Sequence, residues 1–176
     1  MKRLLILDDE PHVTAALERS LRRAFRDEPI RVEVHNDPEA ALARVEEMMF
    51  DVVLSDYRMP GMNGVEFLRR VRDMQPDSMR LFLSASTDFG VLLSAINDAE
   101  AFRFVAKPWD DQELVAAIRL GLARRAELIA ERNASDQVRV KAGTMTPQQR
   151  EARRLEEQEP GITQVRWGPN GAVMLE

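Results

Sequence analysis

Apolar and polar positions run with two alternating periods through the first two thirds of the chain. Leu4 to Leu7 is an unbroken apolar run that ends on Asp8-Asp9-Glu10, the pattern of a buried strand with acids at its C-terminal end. Pro11 fits the first turn of a helix, and Val13, Ala16, Leu17, Leu21, Ala24 and Phe25 then recur at helical spacing. Ile30, Val32 and Val34 alternate with Arg31, Glu33 and His35, which predicts a half-exposed strand near a sheet edge. Asp37-Pro38 reads as an N-cap followed by proline at N1, opening a helix that uses Ala41, Leu42 and Val45. Val52, Val53 and Leu54 form a third strand that ends at Asp56. Pro60, Gly61, Asn63 and Gly64 punctuate the loop before a helix beginning at Val65 and carrying Phe67, Leu68 and Val71. Leu81 to Leu83 make a fourth strand, ending at Ser84-Ala85-Ser86, and Thr87 caps a helix with Val91, Leu92, Ala95 and Ile96. Phe102, Phe104 and Val105 make a fifth, ending at Lys107-Pro108 before a helix with Leu114, Val115, Ile118 and Leu122.

Strand and helix alternate five times, which predicts an α/β domain with a parallel sheet and helices on both faces. The last third reads differently. No proline interrupts Asp110 to Asn133, so the last helix is expected to run on with a loose apolar stripe of Leu122, Ala126, Leu128 and Ile129. The expectation is a projecting helix that pairs with a copy of itself. Residues 134–146 read as a linker. Thr146-Pro147-Gln148-Gln149 is a capping box with proline at N1, opening a short charged helix over 147–159 with Leu155 as its main apolar residue. Residues 162–175, turning at Gly168-Pro169-Asn170-Gly171, read as a β-hairpin. This divides the chain into a domain over 1–124 and an extension over 125–176.

Composition narrows the classes. Of 176 residues none is cysteine, which excludes disulfides and thiolate metal sites. No apolar run reaches the length of a membrane span, and the expected location is the cytoplasm. The net charge of −5 argues against nucleic acid as the main partner. Arg150, Arg153 and Arg154 cluster, but Glu151, Glu156, Glu157 and Glu159 interleave with them, as on an ordinary solvated face.

In a parallel sheet all C-terminal strand ends lie on one edge, where ligands collect. That edge would carry Asp8 and Asp9, Asp56, Ser84 and Lys107. Three carboxylates repel one another and call for a cation, and oxygen ligands without Cys or paired His suit a hard ion such as Mg²⁺. A lysine and a hydroxyl beside a metal-bound carboxylate suit contact with a phosphoryl group. Each residue alone has a plainer reading: a solvated acid or cap, a strand-end lysine, a core aromatic. Their joint occurrence at four strand ends favours the chemistry.

These residues resemble the CheY-like receiver domain of bacterial two-component response regulators. The resemblance rests on Asp8-Asp9, on Asp56 with Met59-Pro60-Gly61-Met62-Asn63-Gly64, on Ser84-Ala85, on Phe104 and on Lys107-Pro108. It implies a flavodoxin-like sheet of order 2-1-3-4-5. It implies Asp56 as the phosphoacceptor, taking the phosphoryl group from the phosphohistidine of a sensor histidine kinase. Asp9 and Asp56 would bind Mg²⁺ directly, Asp8 through water, and the Arg58 backbone carbonyl would be a further ligand. Ser84 and Phe104 would be the switch pair, Ser84 moving to the phosphoryl group and Phe104 turning inward. Arg58 and Ser86 occupy positions that in this family tune dephosphorylation. The segment Ala95 to Asp111 looks like a subgroup often joined to cyclic-di-GMP phosphodiesterase (HD-GYP) or AAA+ domains, neither of which the sequence carries. The expected function is therefore a response regulator acting through protein–protein contacts, with no enzymatic activity beyond its own phosphotransfer and dephosphorylation. Two alternatives stand beside it: a phosphorylation-controlled transcriptional regulator with a reduced DNA-binding tail, and a phosphate-sink receiver.

Overall fold

The computed structural model describes residues 1–85 and 97–158. Five strands, β1 (Lys2–Leu7), β2 (Ile30–His35), β3 (Val52–Asp56), β4 (Met79–Ser84) and β5 (Arg103–Ala106), form one parallel sheet in the order β2-β1-β3-β4-β5. The described helices are α1 (Pro11–Ala24), α2 (Pro38–Glu47), α3 (Gly64–Met74), α4 (Asp111–Lys141) and α5 (Pro147–Gln158). The helix expected from Thr87 to Ile96, and with it Ser86, lies outside the described residues, as does the hairpin over 162–175.

The strand period of two sends alternate side chains into two separate cores. On one face Leu4, Ile6, Val52, Leu54, Leu81 and Leu83 meet Leu17 and Leu21 of α1 and Leu114, Ile118 and Leu122 of α4. On the other, Leu5, Leu7, Val53 and Phe82 meet Leu42 and Val45 of α2 and Phe67, Leu68 and Val71 of α3. Helices therefore cover both faces, as the strand–helix alternation predicts. The central strands β3 and β4 are buried throughout and β1 from Leu4 on, whereas in β2 at the edge only Val32 is buried. His35 departs from its expected surface position: it is half-buried at the end of β2, and burial holds its imidazole below the ordinary value.

Local signals match the caps. Asp37 accepts hydrogen bonds from the backbone of Glu39 and Ala40, and Asn63 from Glu66. Gly64 belongs to the first turn of α3, one residue earlier than the periodicity places it. Gln75, buried just beyond α3, donates to the Val45 and Met48 carbonyls and accepts from the Phe50 N–H, tying the end of α2 to the entry of β3.

The tail corrects two expectations. Residues 134–141 are not a linker. The last helix is continuous for 31 residues, roughly 46 Å at 1.5 Å per residue, and crosses the boundary placed at 124 without a break. It stops at a Schellman cap: Gly143, with φ of +74°, donates to the Val140 carbonyl and Thr144 to the Arg139 carbonyl. Nor does the extension project free of the domain. Arg125 pairs with Asp51 and Arg132 with Asp77, at the N-terminal edge of the sheet. α5 lies against the end of α4 through Arg153 and the buried Asp136. The capping box forms as expected, Thr146 N–H to Gln149 Oε1 at 2.9 Å and Gln149 N–H to Thr146 Oγ1 at 3.1 Å. Thr146→Ala should cost α5 about 1 kcal/mol, read as faster amide exchange over residues 147–152 with the sheet unchanged.

Candidate functional site

The C-terminal edge of the sheet brings together Asp8, Asp56, Ser84 and Lys107, each at or just past the end of a different strand. Asp8 is fully buried, Asp56 is 6% exposed and Ser84 3%. Lys107 reaches in from the end of β5, its ammonium 2.6 Å from Asp8 Oδ2 and 2.6 Å from Asp56 Oδ1. The remaining carboxylate oxygens take backbone donors. Glu10 N–H donates to Asp8 Oδ1 at 3.0 Å, and Arg58 N–H donates to Asp56 Oδ2 at 2.7 Å. Asn36 holds the loop after β1 by donating to the Asp8 carbonyl and to Thr14 Oγ1. Nothing in the sequence marks this support, since a lone Asn past a strand end reads as any turn residue.

The loop after β3 is held by close backbone approach. Gly64 N–H donates to the Tyr57 carbonyl, and a Cβ on Gly64 would lie 2.1 Å from the Asp56 carbonyl oxygen. Glycine is required there for space, not for a left-handed φ. Gly61 is the reverse case, with φ of +77° and nothing near its missing Cβ. Lys107 N–H donates to the Ser84 carbonyl at 2.8 Å, and the Lys107–Pro108 peptide is cis. Phe104 is half-buried, packed against the core between the sheet and α2–α3, and lies in register with Phe82, which meets Tyr57 edge-on at 6.0 Å.

The electrostatics share one sense. Burial pushes the Asp8 carboxyl above its ordinary range, and hydrogen bonds from Lys107 and the Glu10 N–H bring it only partly back. Burial pulls the Lys107 ammonium down, but hydrogen bonds to Asp56 and Asp8 outweigh that and leave it above the usual lysine value. The Asp8 shift reports burial of a carboxyl, and the Lys107 shift reports the two carboxylates around one ammonium. Asp9 is half-buried beside it and makes no side-chain hydrogen bond or ion pair among the described residues. A hard cation fits this donor set, which is oxygen-only, anionic and short of positive charge. Among the described residues no three His, Cys, Asp or Glu side chains gather closely enough to enclose an ion by themselves. Backbone oxygen and water would have to complete the shell. The Arg58 side chain is exposed and makes no hydrogen bond or ion pair among the described residues.

A carboxyl raised in the folded state favours folding while protonated, and that contribution is lost as pH rises from the ordinary carboxylate value through the raised one. Asp8→Asn should therefore be more stable than the native chain at neutral pH, with the advantage shrinking as pH falls through the raised Asp8 value and gone by about 4. Urea unfolding at both pH values, with divalent cations chelated, checks this. An advantage that does not change with pH would contradict it.

Among the described residues no helix is long and apolar enough to cross a membrane. The family described as response regulator receiver domain matches residues 4–119. A hydrogenase transcriptional regulatory protein, HoxA, of Cupriavidus necator is 34% identical over 116 residues, which are 66% of this chain and 23% of that protein. The transcriptional regulatory protein TrcR of Mycobacterium tuberculosis is 34% identical over 152 residues, 86% of this chain and 56% of that one. The chain thus spans from just under a quarter to rather more than half of these relatives' lengths. Among solved structures, the signal receiver domain of an HD domain-containing protein from Pseudomonas fluorescens Pf-5 superposes with a TM-score of 0.63 at 29% identity. It covers 72% of this chain and 98% of its own. The Vibrio cholerae chemotaxis protein CheY4 gives 0.63 at 27% identity, covering 69% and 99%.

Proposed function

We propose, for a chain that belongs to the response regulator receiver domain family, that it takes a phosphoryl group on Asp56 from a sensor histidine kinase and signals through protein–protein contacts. The observation that carries this is the buried pair of carboxylates, Asp8 and Asp56, sharing one ammonium at 2.6 Å each on the C-terminal edge of the sheet. An Asp56 carboxylate oxygen attacks phosphorus, the P–N bond to the kinase imidazole breaks, and the imidazole leaves with its electron pair. Arg58 N–H holds one Asp56 oxygen and fixes the carboxylate's rotation. Lys107 stabilises charge on the transferred oxygens, and the Ser84 hydroxyl donates to one of them. Asp8, Asp9, Asp56 and the Arg58 carbonyl would hold Mg²⁺, Asp8 through water. When bound, the ion offsets phosphoryl charge. Ser84 and Phe104 are the switch pair in this reading.

Incubation with acetyl phosphate, with and without Mg²⁺, tests the reading. Mg²⁺-dependent labelling supports it, and a chain that stays unlabelled under both conditions removes it. A second reading, a phosphorylation-controlled transcriptional regulator, is favoured by two relatives, HoxA and TrcR, that are transcriptional regulatory proteins, and by the 152-residue span of the TrcR match. It predicts DNA binding that weakens steeply with salt. The interleaved charges of α5 favour the protein-contact reading, and no DNA binding at low salt would end the alternative. A phosphate-sink role would be favoured if removing the tail left signalling intact.

A further inference from the structure

β3 and β4 carry charged or polar groups at both ends. Asp56 ends β3 and Ser84 ends β4 at the candidate site. At the opposite edge Asp51 directly precedes β3, and Asp77 lies two residues before β4. Those two acids hold the long helix. Arg125 pairs with Asp51, the two side chains only 13% and 17% exposed. Arg132 pairs with Asp77 through two parallel N–H···O contacts, the bidentate geometry that fixes orientation as well as distance. Asp51 is further locked to the sheet, since its Oδ2 accepts from the Arg3 N–H at 2.7 Å and its carbonyl from the Met79 N–H at 3.0 Å.

Arg125 and Arg132 are seven residues apart, two turns on one side of α4. Leu128, between them, packs against the core under the sheet. At Gly121 the helix approaches β3 and β4 themselves, where an added Cβ would lie 3.4 Å from Met79 and 3.6 Å from Val52. Beyond Arg132 the helix is attached to α5 through Asp136 and Arg153. The α4–α5 arm is thus fastened to the two strands whose far ends carry the phosphoacceptor and its hydroxyl. Packed strands move as bodies rather than bending freely, so an end-to-end shift of β3 against β4 reaches both acids.

We propose that Asp51 and Asp77 form an anchoring site for the helical arm, through which a displacement of β3 against β4 at Asp56 and Ser84 is delivered to α4 and α5. The anchoring stands on the geometry alone, and the delivery rests on the function proposed above. The two acids are positioning residues and touch no substrate.

The chain has no cysteine, so Arg26→Cys and Val138→Cys, both at exposed positions, give a unique spin-label pair across the domain and the arm. Distances are measured by pulsed electron resonance on the full chain, with Mg²⁺ alone and with Mg²⁺ and beryllofluoride, and ¹⁹F NMR reports beryllofluoride binding separately. With native acids the distance distribution should be narrow and should shift on beryllofluoride. In the Asp51→Asn, Asp77→Asn pair it should broaden, and the shift should be lost although ¹⁹F NMR still shows binding. With Asp51 kept, Asp77→Asn alone should broaden it in part, and exchanging the partners, Asp77→Arg with Arg132→Asp, should restore the narrow distribution, which a merely misfolded variant would not do. An equally narrow distribution without the acids overturns the anchoring. A shift that survives their loss overturns the delivery. If beryllofluoride does not bind the native chain, the phosphoacceptor reading and the delivery fall together, while the Mg²⁺-only distributions still decide the anchoring.

Discussion

Asp56→Asn is expected to reduce phosphoryl incorporation from acetyl phosphate to background, with Mg²⁺ present and the fold retained. Asparagine keeps the shape of the side chain, and its carbonyl can still accept the Arg58 N–H that Asp56 Oδ2 accepts now. What it lacks is a carboxylate oxygen able to form an acyl phosphate. The site holds two buried carboxylates around one ammonium, so neutralising one relieves like-charge repulsion. The variant should therefore unfold at a urea concentration no lower than the native chain, and loss of labelling cannot be assigned to loss of structure. Intact-mass spectrometry after acetyl phosphate treatment reads the result. Labelling of the variant at the native level would refute Asp56 as acceptor, and labelling at a different aspartate would move the assignment within the same pocket.

Gly64→Ala should be the most damaging single-methyl change in the loop, lowering stability by about 3 kcal/mol, the upper end for forced overpacking. The added Cβ would stand 2.1 Å from the Asp56 carbonyl oxygen and 3.0 Å from the Tyr57 Cα. Both neighbours are backbone, and neither can swing aside as a flexible side chain would. Relief requires α3 to back away from the end of β3, which breaks the Gly64 N–H bond to the Tyr57 carbonyl and moves Asp56 relative to Lys107. Phosphoryl incorporation should fall with stability. Gly61→Ala, three residues earlier, is the control. It meets no atom but must hold φ at +77°, at a cost of about 1 kcal/mol. Urea unfolding of the two variants side by side checks the order, and equal costs would mean that the close approach at Gly64 does not constrain the loop.

Much of the site was legible because its residues stand at strand ends. A run such as Leu4–Leu7, within alternating strand and helix patterns, reads as a strand buried on both faces, and the residues just past its C-terminal end then lie on the common edge. Asp8, Asp56 and Lys107 therefore meet in the structure without adjacency in sequence. The support around them was not legible. Asn36 acts by hydrogen bonds across the fold and the Arg58 N–H by a local one, and nothing in their neighbours marks either. The tail shows the same limit in reverse. Ser135, Gly143, Thr144 and Thr146 read locally as a linker, yet the helix continues to Lys141 because Arg132, Asp136 and Val140 have partners or cover that propensity does not count. Gly143, the residue that does end the helix, carried the ordinary glycine stop signal in the sequence.

The sequence by itself determined the alternation of elements, the two-sided core, the caps at Asp37 and Thr146, and the set of polar residues at one sheet edge. Those properties come from side-chain period and from local hydrogen bonding, which operate over a few residues. Only the tertiary structure decided that one lysine lies between two buried acids, that Gly64 must lack a side chain, and that Asp51 and Asp77 fasten the long helix. Each of these depends on distances between segments that the chain brings together from 8 to 99 residues apart. Such distances are set by packing of the whole sheet, and no pattern within a single segment contains them.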